Sequence, residues 1–470
     1  MTTKFKLIRY TLVLISLMVI QDQAYGQRLP NASGSTYPGA QTSSQQPEIP
    51  KEKAFVRHYT LSEKEKLESF SDTSLAGLEI FLPHREWDLS AINIGNPGSS
   101  AYEIIFKTRK DVFTDIGFKQ YSIYRLELEN FKFYDLNRPY NDLYFSPQSG
   151  QQNFIAKAKF SRNLDNNVNL AIDFERIKQE GFYTSQDAKM TRFGIGLSKK
   201  SKHHELYLVM IANNFNEEHN GGLSVDVNSE QYSDPIYRSQ RTSIPTFLEG
   251  ATGRHQYFSY SMENIWKPKE GAIQIRNLSR VEHGYYRYSH EFSSSNFDSL
   301  VYINHLTDDR GIRMLNKFKR FSNHAELSFK HKDLNLRAGL HYKLLSYDNS
   351  LDTESFHDIA ITGDLNFSPR NLGTLNAHTE IGIGENVGNF LLDSDLSIHI
   401  GKSIDLRASF VTSRYDAFLS QRELILTDAQ VYNNSFEKIN EARLSAALEF
   451  KKLKLNLSVH SGLIGNAPKS

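Results

Sequence analysis

Apolar and polar side chains alternate along most of this 470-residue chain, and this period of two limits its fold more than any other feature. In the stretch NVNLAIDFERI (167–177), one side carries Val168, Leu170, Ile172 and Phe174, and the other carries Asn169, Ala171, Asp173 and Glu175. A helix would scatter both sets around its axis, whereas an extended strand separates them. The pattern predicts strands with one apolar face towards a core or lipid and one polar face towards water.

The alternation recurs in runs whose usual length of about 9 to 13 residues suits a tilted strand that crosses a bilayer. Clear examples are FIAKAKF (154–160), LNLRAGLHYKL (334–344) and DIAITGDLNF (358–367). Further runs lie near 121–135, 190–199, 205–213, 255–266, 318–330, 374–384, 389–400, 404–415, 439–450 and 453–462. We predict a strand for each run.

The links between these runs alternate in length. The short links are 163–167, 199–204, 267–271, 331–333, 368–373, 401–403 and 451–452. The longer links include 214–253, 283–316, 346–356 and 415–437, and 385–388 is a tight exception among them. A soluble β-sandwich gives no reason for every second link to be short, whereas a transmembrane barrel has tight periplasmic turns and long outer loops. We therefore predict an all-β fold, an antiparallel transmembrane β-barrel of roughly 14–18 strands.

Aromatic residues recur on the apolar side of the runs, close to the short links. They are Phe160, Trp266, Phe329, Phe367 and Phe450. Such rings favour the boundary between hydrocarbon and head groups, although strands are in any case rich in aromatic residues. Their repeated position predicts an aromatic girdle at the periplasmic edge of the barrel.

The N-terminus has the features of an export signal. Lys4, Lys6 and Arg9 precede an apolar run too short to span a bilayer, and Ala24 and Gly26 form a small-x-small cleavage site. We predict a cleaved signal peptide over 1–26, a flexible periplasmic leader over 27–71 and the β-barrel over 72–470. The chain has no cysteine, which excludes a lipoprotein anchor and suits an oxidising periplasm. The predicted location is the outer membrane of a Gram-negative bacterium.

Charge and motifs exclude several classes of function. The net charge is +1 and there is no basic block, which argues against nucleic acid as a partner. The 16 histidines form no two-His helical metal motif, and no Gly-rich phosphate loop or serine elbow is present. We therefore predict that the protein is not an enzyme and has no cofactor or metal.

If the apolar rows meet lipid, the polar rows line a wet lumen. The predicted pore-lining residues are Lys157, Lys159, Asp173, Glu175, Arg192, Arg337, His341, Lys343, Asp358, Asp364, Glu380, Asp393, Asp395, Asp405, Arg407, Glu441 and Arg443. Because both signs are present on neighbouring strands, we expect passage of small hydrophilic solutes with little charge preference.

The link 214–253 is the best candidate for a loop that folds inward and narrows the pore. Its acidic residues, which would favour cations weakly, are Glu217, Glu218, Asp226, Glu230 and Asp234. A solvated surface loop explains the same charges.

Three local features resemble the putative porin family of the Bacteroidota, most strongly over about residues 72–223. They are IGNPGS (94–99), Arg138-Pro139-Tyr140 followed by Leu143-Tyr144-Phe145, and Asn220-Gly221-Gly222. The resemblance implies an outer-membrane barrel that acts as a porin or passive channel, and it carries over no catalytic residues.

The function, the oligomeric state and the C-terminal end of the barrel stay open from the sequence. An alternative function is a non-conducting structural or adhesive barrel that binds partners through its outer loops, and an oligomer is possible. An energised transporter needs an N-terminal plug domain, for which 27–71 is too short. Following the turns sends 453–462 outward, so we expect either a C-terminally truncated fragment or a register that is wrong by one hairpin.

Overall fold

The computed structural model describes residues 55–64, 66–69, 90–105, 107–147, 153–165, 167–226, 241–268, 273–291, 310–369, 372–401, 403–427 and 429–467. These belong to one unit, Ala54–Ser470. The predicted signal peptide and most of the predicted leader lie outside the described residues. Among the described residues, no helix is long and apolar enough to cross a membrane.

Antiparallel strands form nearly all of the regular structure. Five short ones come first: β1 (Val56–Tyr59), β2 (Glu68–Ser69), β3 (Ala91–Asn93), β4 (Ala101–Glu103) and β5 (Phe133–Leu136). The long strands follow as β6 (Tyr140–Pro147), β7 (Phe154–Asp165), β8 (Val168–Gln179), β9 (Ala188–Lys200), β10 (His204–His219), β11 (Ala251–Trp266), β12 (Ile273–His290), β13 (Ile312–His331), β14 (Leu334–Asp348), β15 (Thr353–Phe367), β16 (Gly373–Gly382), β17 (Phe390–Ile400) and β18 (Ile404–Tyr415). The last elements are α1 (Leu419–Arg422), β19 (Glu423–Leu426), β20 (Ala429–Asn433), β21 (Ile439–Phe450) and β22 (Leu455–Gly465).

One 15-stranded sheet runs from β6 to β22, and neighbours in the sheet are neighbours in the chain. The exception is the hairpin β19–β20, which leaves the sheet so that β18 pairs directly with β21. In the described part of the chain, β6 and β22 each pair with one neighbour only. The predicted all-β architecture is confirmed, and the sheet starts at Tyr140, later than the boundary at residue 72 expected from sequence.

The alternation of link lengths is also confirmed. At one edge of the sheet, here called the turn edge, the links are 166–167, 201–203, 267–272, 332–333, 368–372, 401–403 and 451–454. At the opposite loop edge they are 180–187, 220–250, 291–311, 349–352, 383–389 and 416–438. The expected long link at 346–356 is wrong, because β14 and β15 continue pairing until only 349–352 is left as a turn. Strands β12 and β13 likewise extend to 18 and 20 residues.

Strand β11 shows how sequence period sets the two faces of the sheet. Glu263 and Ile265 are buried on one face, while Tyr260, Met262 and Trp266 on the other are 40 to 50% exposed. Exposed apolar side chains on this outer face are what a lipid-facing surface requires. The predicted girdle residues all lie on the outer face at the turn edge, namely Phe160, Trp266, Phe329, Phe367 and Phe450.

The buried core lies between the opposite, inner face of the sheet and the N-terminal part of the chain. Leu126, Phe131 and Phe133 pack against Tyr207 and Ile211 of β10. The run near 121–135 was expected to be a wall strand, and this is wrong: it contains the 3₁₀ turn Ser122–Tyr124 and then β5, which pairs with β1. The segment does alternate over Tyr124, Leu126 and Leu128, but these residues are buried in the core against the inner face instead of facing lipid.

Candidate functional site

The polar rows of the strands share the inner face of the sheet. Cross-strand register places Glu175 between Lys157 and Arg192, and the carboxylate of Glu175 is ion-paired with both. By the same register, the inner face also carries the other predicted pore-lining residues: Lys159, Asp173, Arg337, His341, Lys343, Asp358, Asp364, Glu380, Asp393, Asp395, Asp405, Arg407, Glu441 and Arg443.

Residues 107–132, here called the strap, cross this inner face from β21 to β9. Three wall carboxylates accept hydrogen bonds from the strap backbone. Glu441 accepts from the N–H of Arg109 at 2.9 Å, Glu380 from Val112 at 3.3 Å and Asp358 from Thr114 at 2.6 Å. An interior segment without a strand partner must satisfy its N–H groups elsewhere, and carboxylates are strong acceptors. These three residues therefore hold the chain's own backbone.

A fourth carboxylate, Glu217 of β10, anchors the N-terminal chain farther along the same inner face. It accepts from the backbone N–H of Ser100 at 2.9 Å, from its hydroxyl at 2.5 Å and from the hydroxyl of Tyr121 at 2.9 Å. Sequence reasoning placed Glu217 and Glu218 in a loop, and the structure corrects this, because both lie in β10, which pairs with β11 as far as His219 and Ala251. Asp226 is exposed in the loop, and Glu230 and Asp234 lie outside the described residues.

Aromatic rings fix the strap laterally. The ring of Phe113 meets His341 of β14 edge-on, with centroids 4.5 Å apart, and the ammonium of Lys343 lies 3.8 Å from its centroid. Tyr121 stacks on Phe215 of β10 at 4.9 Å and an interplanar angle of 10°. Aromatic and cation–π pairs of this geometry add directional stabilisation to the burial of apolar area.

Two glycines of β9 allow the strap to approach the wall. A Cβ atom on Gly194 would lie 2.8 Å from the ring of Phe131, and one on Gly196 would lie closer still. Phe131 itself is 1% exposed. The absence of side chains at these two positions thus creates the recess that holds the ring.

Charged groups within the strap form a compact set. The guanidinium of Arg109 donates to Asp111 at 2.7 Å and to the carbonyl of Phe113, and it lies over the rings of Tyr415 and Phe418. Burial alone would raise the pKa of Asp111, but Arg109, Lys343 and the N–H of Phe113 hold it well below its usual range. Burial is likewise outweighed at Asp115, chiefly by Arg109, so that the pKa of Asp115 is also lowered.

The outer link 416–438 folds onto the strap. The N–H groups of Leu419 and Ser420 donate to the carbonyls of Asp115 and Ile116 at 3.0 and 2.9 Å. The next strap residue, Gly117, has φ +97°, and a Cβ atom at this position would lie 2.6 Å from the side chain of Phe418. Among the described residues, 416–438 is the long link that contacts the strap. The sequence analysis had favoured 214–253 as the link that folds inward. The sequence of 416–438 carries no periodic signal that would have revealed the contact.

An ion-pair cluster near the turn edge binds Lys64, in the part of the chain that precedes the strap in sequence. Glu263 of β11, fully buried, pairs with Lys64 at 2.7 Å and with Arg276 of β12, which also donates to Glu326 of β13 at 2.8 Å. Burial lowers the pKa of Lys64 to about 8, although Glu263 opposes the shift. The sequence analysis missed these residues, although Glu263 and Glu326 lie on the polar side of the alternating runs 255–266 and 318–330.

The inner face and the N-terminal segments enclose two cavities. The loop-side cavity, about 820 Å³, lies between strap residues such as Lys119 and the wall residues Tyr257 and Arg320. The turn-side cavity, about 680 Å³, is lined by Lys200 and Glu205 of β9 and β10 and also by Asp395 of β17, so the sheet curves around it. Lys110 lines the first cavity and Asp393 the second, and their ion pair at 2.7 Å marks the boundary between them.

Within the described ranges, no cluster of three or more His, Asp or Glu side chains is placed to hold a metal ion. The linings of both cavities present amides, hydroxyls and fixed charges to a solute.

Comparisons with known proteins identify one matching family. The model of a family described as "Putative porin" matches residues 56–467. No curated protein matches the sequence. A variant of the ferric enterobactin receptor of Pseudomonas aeruginosa aligns at 11% identity and a TM-score of 0.47, over 68% of this chain and 52% of that chain. The receptor FyuA of Yersinia pestis, for ferric yersiniabactin uptake, gives 8% identity, a TM-score of 0.47 and coverages of 69% and 54%. The chain spans about half the length of these structures.

Proposed function

This chain belongs to the putative porin family, and from that premise we propose that its outer-membrane β-barrel lets small hydrophilic solutes diffuse passively across the membrane. The observation that carries the proposal is the polar inner face, which encloses cavities of about 820 and 680 Å³ on the two sides of the strap. Cavities of this size hold many water molecules. A solute that fits them exchanges bulk water for side-chain hydrogen bonds without a large desolvation cost.

The strap sets the expected size limit. It crosses the inner face between the two cavities, so the route from one to the other passes strap side chains rather than an open lumen. We therefore expect a narrow pathway with a sharp dependence on solute size. The apolar outer face supports membrane lipid as the surrounding partner. We also propose export through a signal peptide cleaved after residue 26.

Liposome swelling tests this function directly. The full chain is refolded into vesicles, and swelling is followed in isotonic solutions of sugars of graded size. We expect swelling rates that fall steeply from a triose or pentose to a disaccharide. Vesicles that contain the same amount of heat-denatured protein are the control for leakage. No swelling with any sugar, in vesicles whose protein shows the circular dichroism of folded strands, would refute passive diffusion.

One observation favours the alternative of a non-conducting barrel with a structural or adhesive role. The strap is fixed by four carboxylates and by the link 416–438, which together hold chain inside the wall. If this packing closes the route completely, folded protein gives no swelling. The same assay thus separates the two functions, and a pull-down with cell-surface material would then be the next measurement.

A further inference from the structure

The loop-side cavity carries an excess of positive charge, and we propose that it is a constriction that selects small hydrophilic anions. The inference rests on the proposed function, because selection requires that solutes pass. Seven lysine and arginine side chains but three acidic ones line this cavity. The turn-side cavity has six of each sign. The two cavities share one wall, so the excess of positive charge comes largely from the charged side chains of the strap.

Three strap lysines present this charge to the cavity. The side chains of Lys107, Lys110 and Lys119 are 50, 58 and 54% exposed, so their ammonium groups stay hydrated and accessible to a passing solute. Each lies within 4 Å of one carboxylate, at 3.0, 2.7 and 3.9 Å respectively. Because the ammonium end of each pair is exposed, solvent screens the attraction and a dissolved anion can compete with the carboxylate.

Two of the deeper cations of the cavity, Arg125 and Arg320, have carboxylate partners that do not line it, whereas Arg109 pairs with Asp111 of the lining. Arg125 pairs with Glu127, and Arg320 with Glu282 at 3.4 Å, and neither carboxylate is part of the cavity lining. The guanidinium groups are therefore the charges nearest to the cavity. Arginine is well suited to bind a planar carboxylate or a phosphate through two parallel N–H groups.

Lys343 adds positive charge at the junction of strap and wall. Its ammonium group lies 3.8 Å from the centroid of the Phe113 ring, so it is held there by an aromatic face. Low-dielectric walls focus the field of such charges and raise the local concentration of ions of opposite sign. The cavity accordingly concentrates anions and excludes cations of similar size.

The test is the reversal potential of the full chain in a planar bilayer under a potassium chloride gradient. We expect chloride to be more permeant than potassium. In the triple variant Lys107→Gln, Lys110→Gln, Lys119→Gln, the permeability ratio should fall towards unity by a factor on the order of five. Potassium acetate in place of chloride should still give an anion-selective potential, because the site recognises charge and a carboxylate fits the guanidinium groups.

A matched control removes the same charge from the other face of the wall. Lys189, Lys317 and Lys319 lie on the outer face in β9 and β13. The side chains of Lys189 and Lys317 are 41 and 53% exposed and are also ion-paired. Their replacement by glutamine should leave the ratio unchanged.

The outcomes separate this inference from the proposed function. Conductance with equal permeability of both ions, or a ratio that the strap variant leaves unaltered, overturns the anion constriction and leaves the porin intact. Equal effects of the strap and control variants overturn it as well, because the charge would then act from the surface. No conductance at all refutes the porin, and the anion constriction with it.

Discussion

The two ends of the barrel interior hold the N-terminal chain by different means. Near the loop edge, wall carboxylates accept hydrogen bonds from the N-terminal chain, Glu441 from the backbone N–H of Arg109 and Glu217 from the backbone N–H of Ser100 and the hydroxyl of Tyr121. Near the turn edge, Lys64 enters a cluster of buried side-chain ion pairs around Glu263. At the loop edge the charges of the strap itself stay available to the cavity, whereas at the turn edge acids and bases balance.

This difference teaches that strand periodicity fixes which residues face inward but not the electrical character of the space they enclose. The same wall borders both cavities. A carboxylate that accepts hydrogen bonds from backbone N–H groups is stabilised by their dipoles and keeps its charge, while a carboxylate that binds lysine or arginine cancels a full charge. Selectivity then depends on the irregular segment laid over the wall.

The largest expected effect is that of Glu263→Gln, which removes the centre of the turn-edge cluster. The Glu263 side chain is fully buried, and its loss leaves Lys64 and Arg276 facing each other without their shared anion. Breaking a buried pair in this way costs about 3–5 kcal/mol. Urea titration in lipid vesicles measures the free energy of unfolding. The control is Glu449→Gln, which breaks a partly exposed ion pair with Arg407 at 3.2 Å and should lower the free energy of unfolding by less than about 1 kcal/mol. Equal losses in the two variants would contradict the special role of the turn-edge cluster.

Glu217→Gln tests the backbone-capping mode at the loop edge. The amide keeps the size of the side chain but replaces a charged acceptor of three hydrogen bonds from Ser100 and Tyr121. We expect a loss of about 1–3 kcal/mol and faster proteolysis in the strap. The neighbouring variant Glu218→Gln lies on the outer face of β10 and should change neither quantity. If Glu217→Gln changes neither quantity, the hydrogen bonds of Glu217 do not help to hold the strap.

Solution pH should act on the two edges in different pH ranges, and at both edges the folded state should gain stability as pH rises. Because the folded pKa of Asp111 and Asp115 lies below the ordinary value, their contribution is complete at neutral pH and is lost only as acid protonates them. The pKa of Lys64 is lowered from 10.5 to about 8, so the unfolded chain binds its proton more tightly and docking strengthens as pH rises through that window. Hydrogen-exchange protection, corrected for intrinsic rates, should fall in residues 107–119 in acid and rise in 55–64 in alkali.

The smallest effect is expected at the boundary between the cavities. Asp393→Asn removes the partner of Lys110, whose side chain is 58% exposed, so the free energy of unfolding should change by less than about 1 kcal/mol. The freed ammonium should make the reversal potential slightly more anion-selective. Asp395→Asn, two residues along the same strand and face, is the control. A shift towards cations would contradict the assignment of Lys110 to the anion path.

Much of the wall was predictable from sequence, because each strand carries its own local signal. The alternation in 167–177 places Asp173 and Glu175 on the inner face without knowledge of any partner strand. The strap was not predictable, because its position depends on contacts such as that of Arg109 with Glu441, which are 332 residues apart. The run 121–135 was misread for the same reason, since apolar residues there serve the recess beside Gly194 and Gly196 rather than a lipid face.

Strands β12 and β13 are much longer than a membrane crossing requires. Twenty residues at about 3.3 Å each reach roughly 66 Å, and a tilt of about 45° still leaves them far taller than an apolar band of about 25 Å. If the predicted girdle residues Trp266 and Phe329 hold the turn edge at the interface, the surplus extends beyond the bilayer on the side of the loop edge. A solute approaching from that side would then meet protein before it meets lipid head groups.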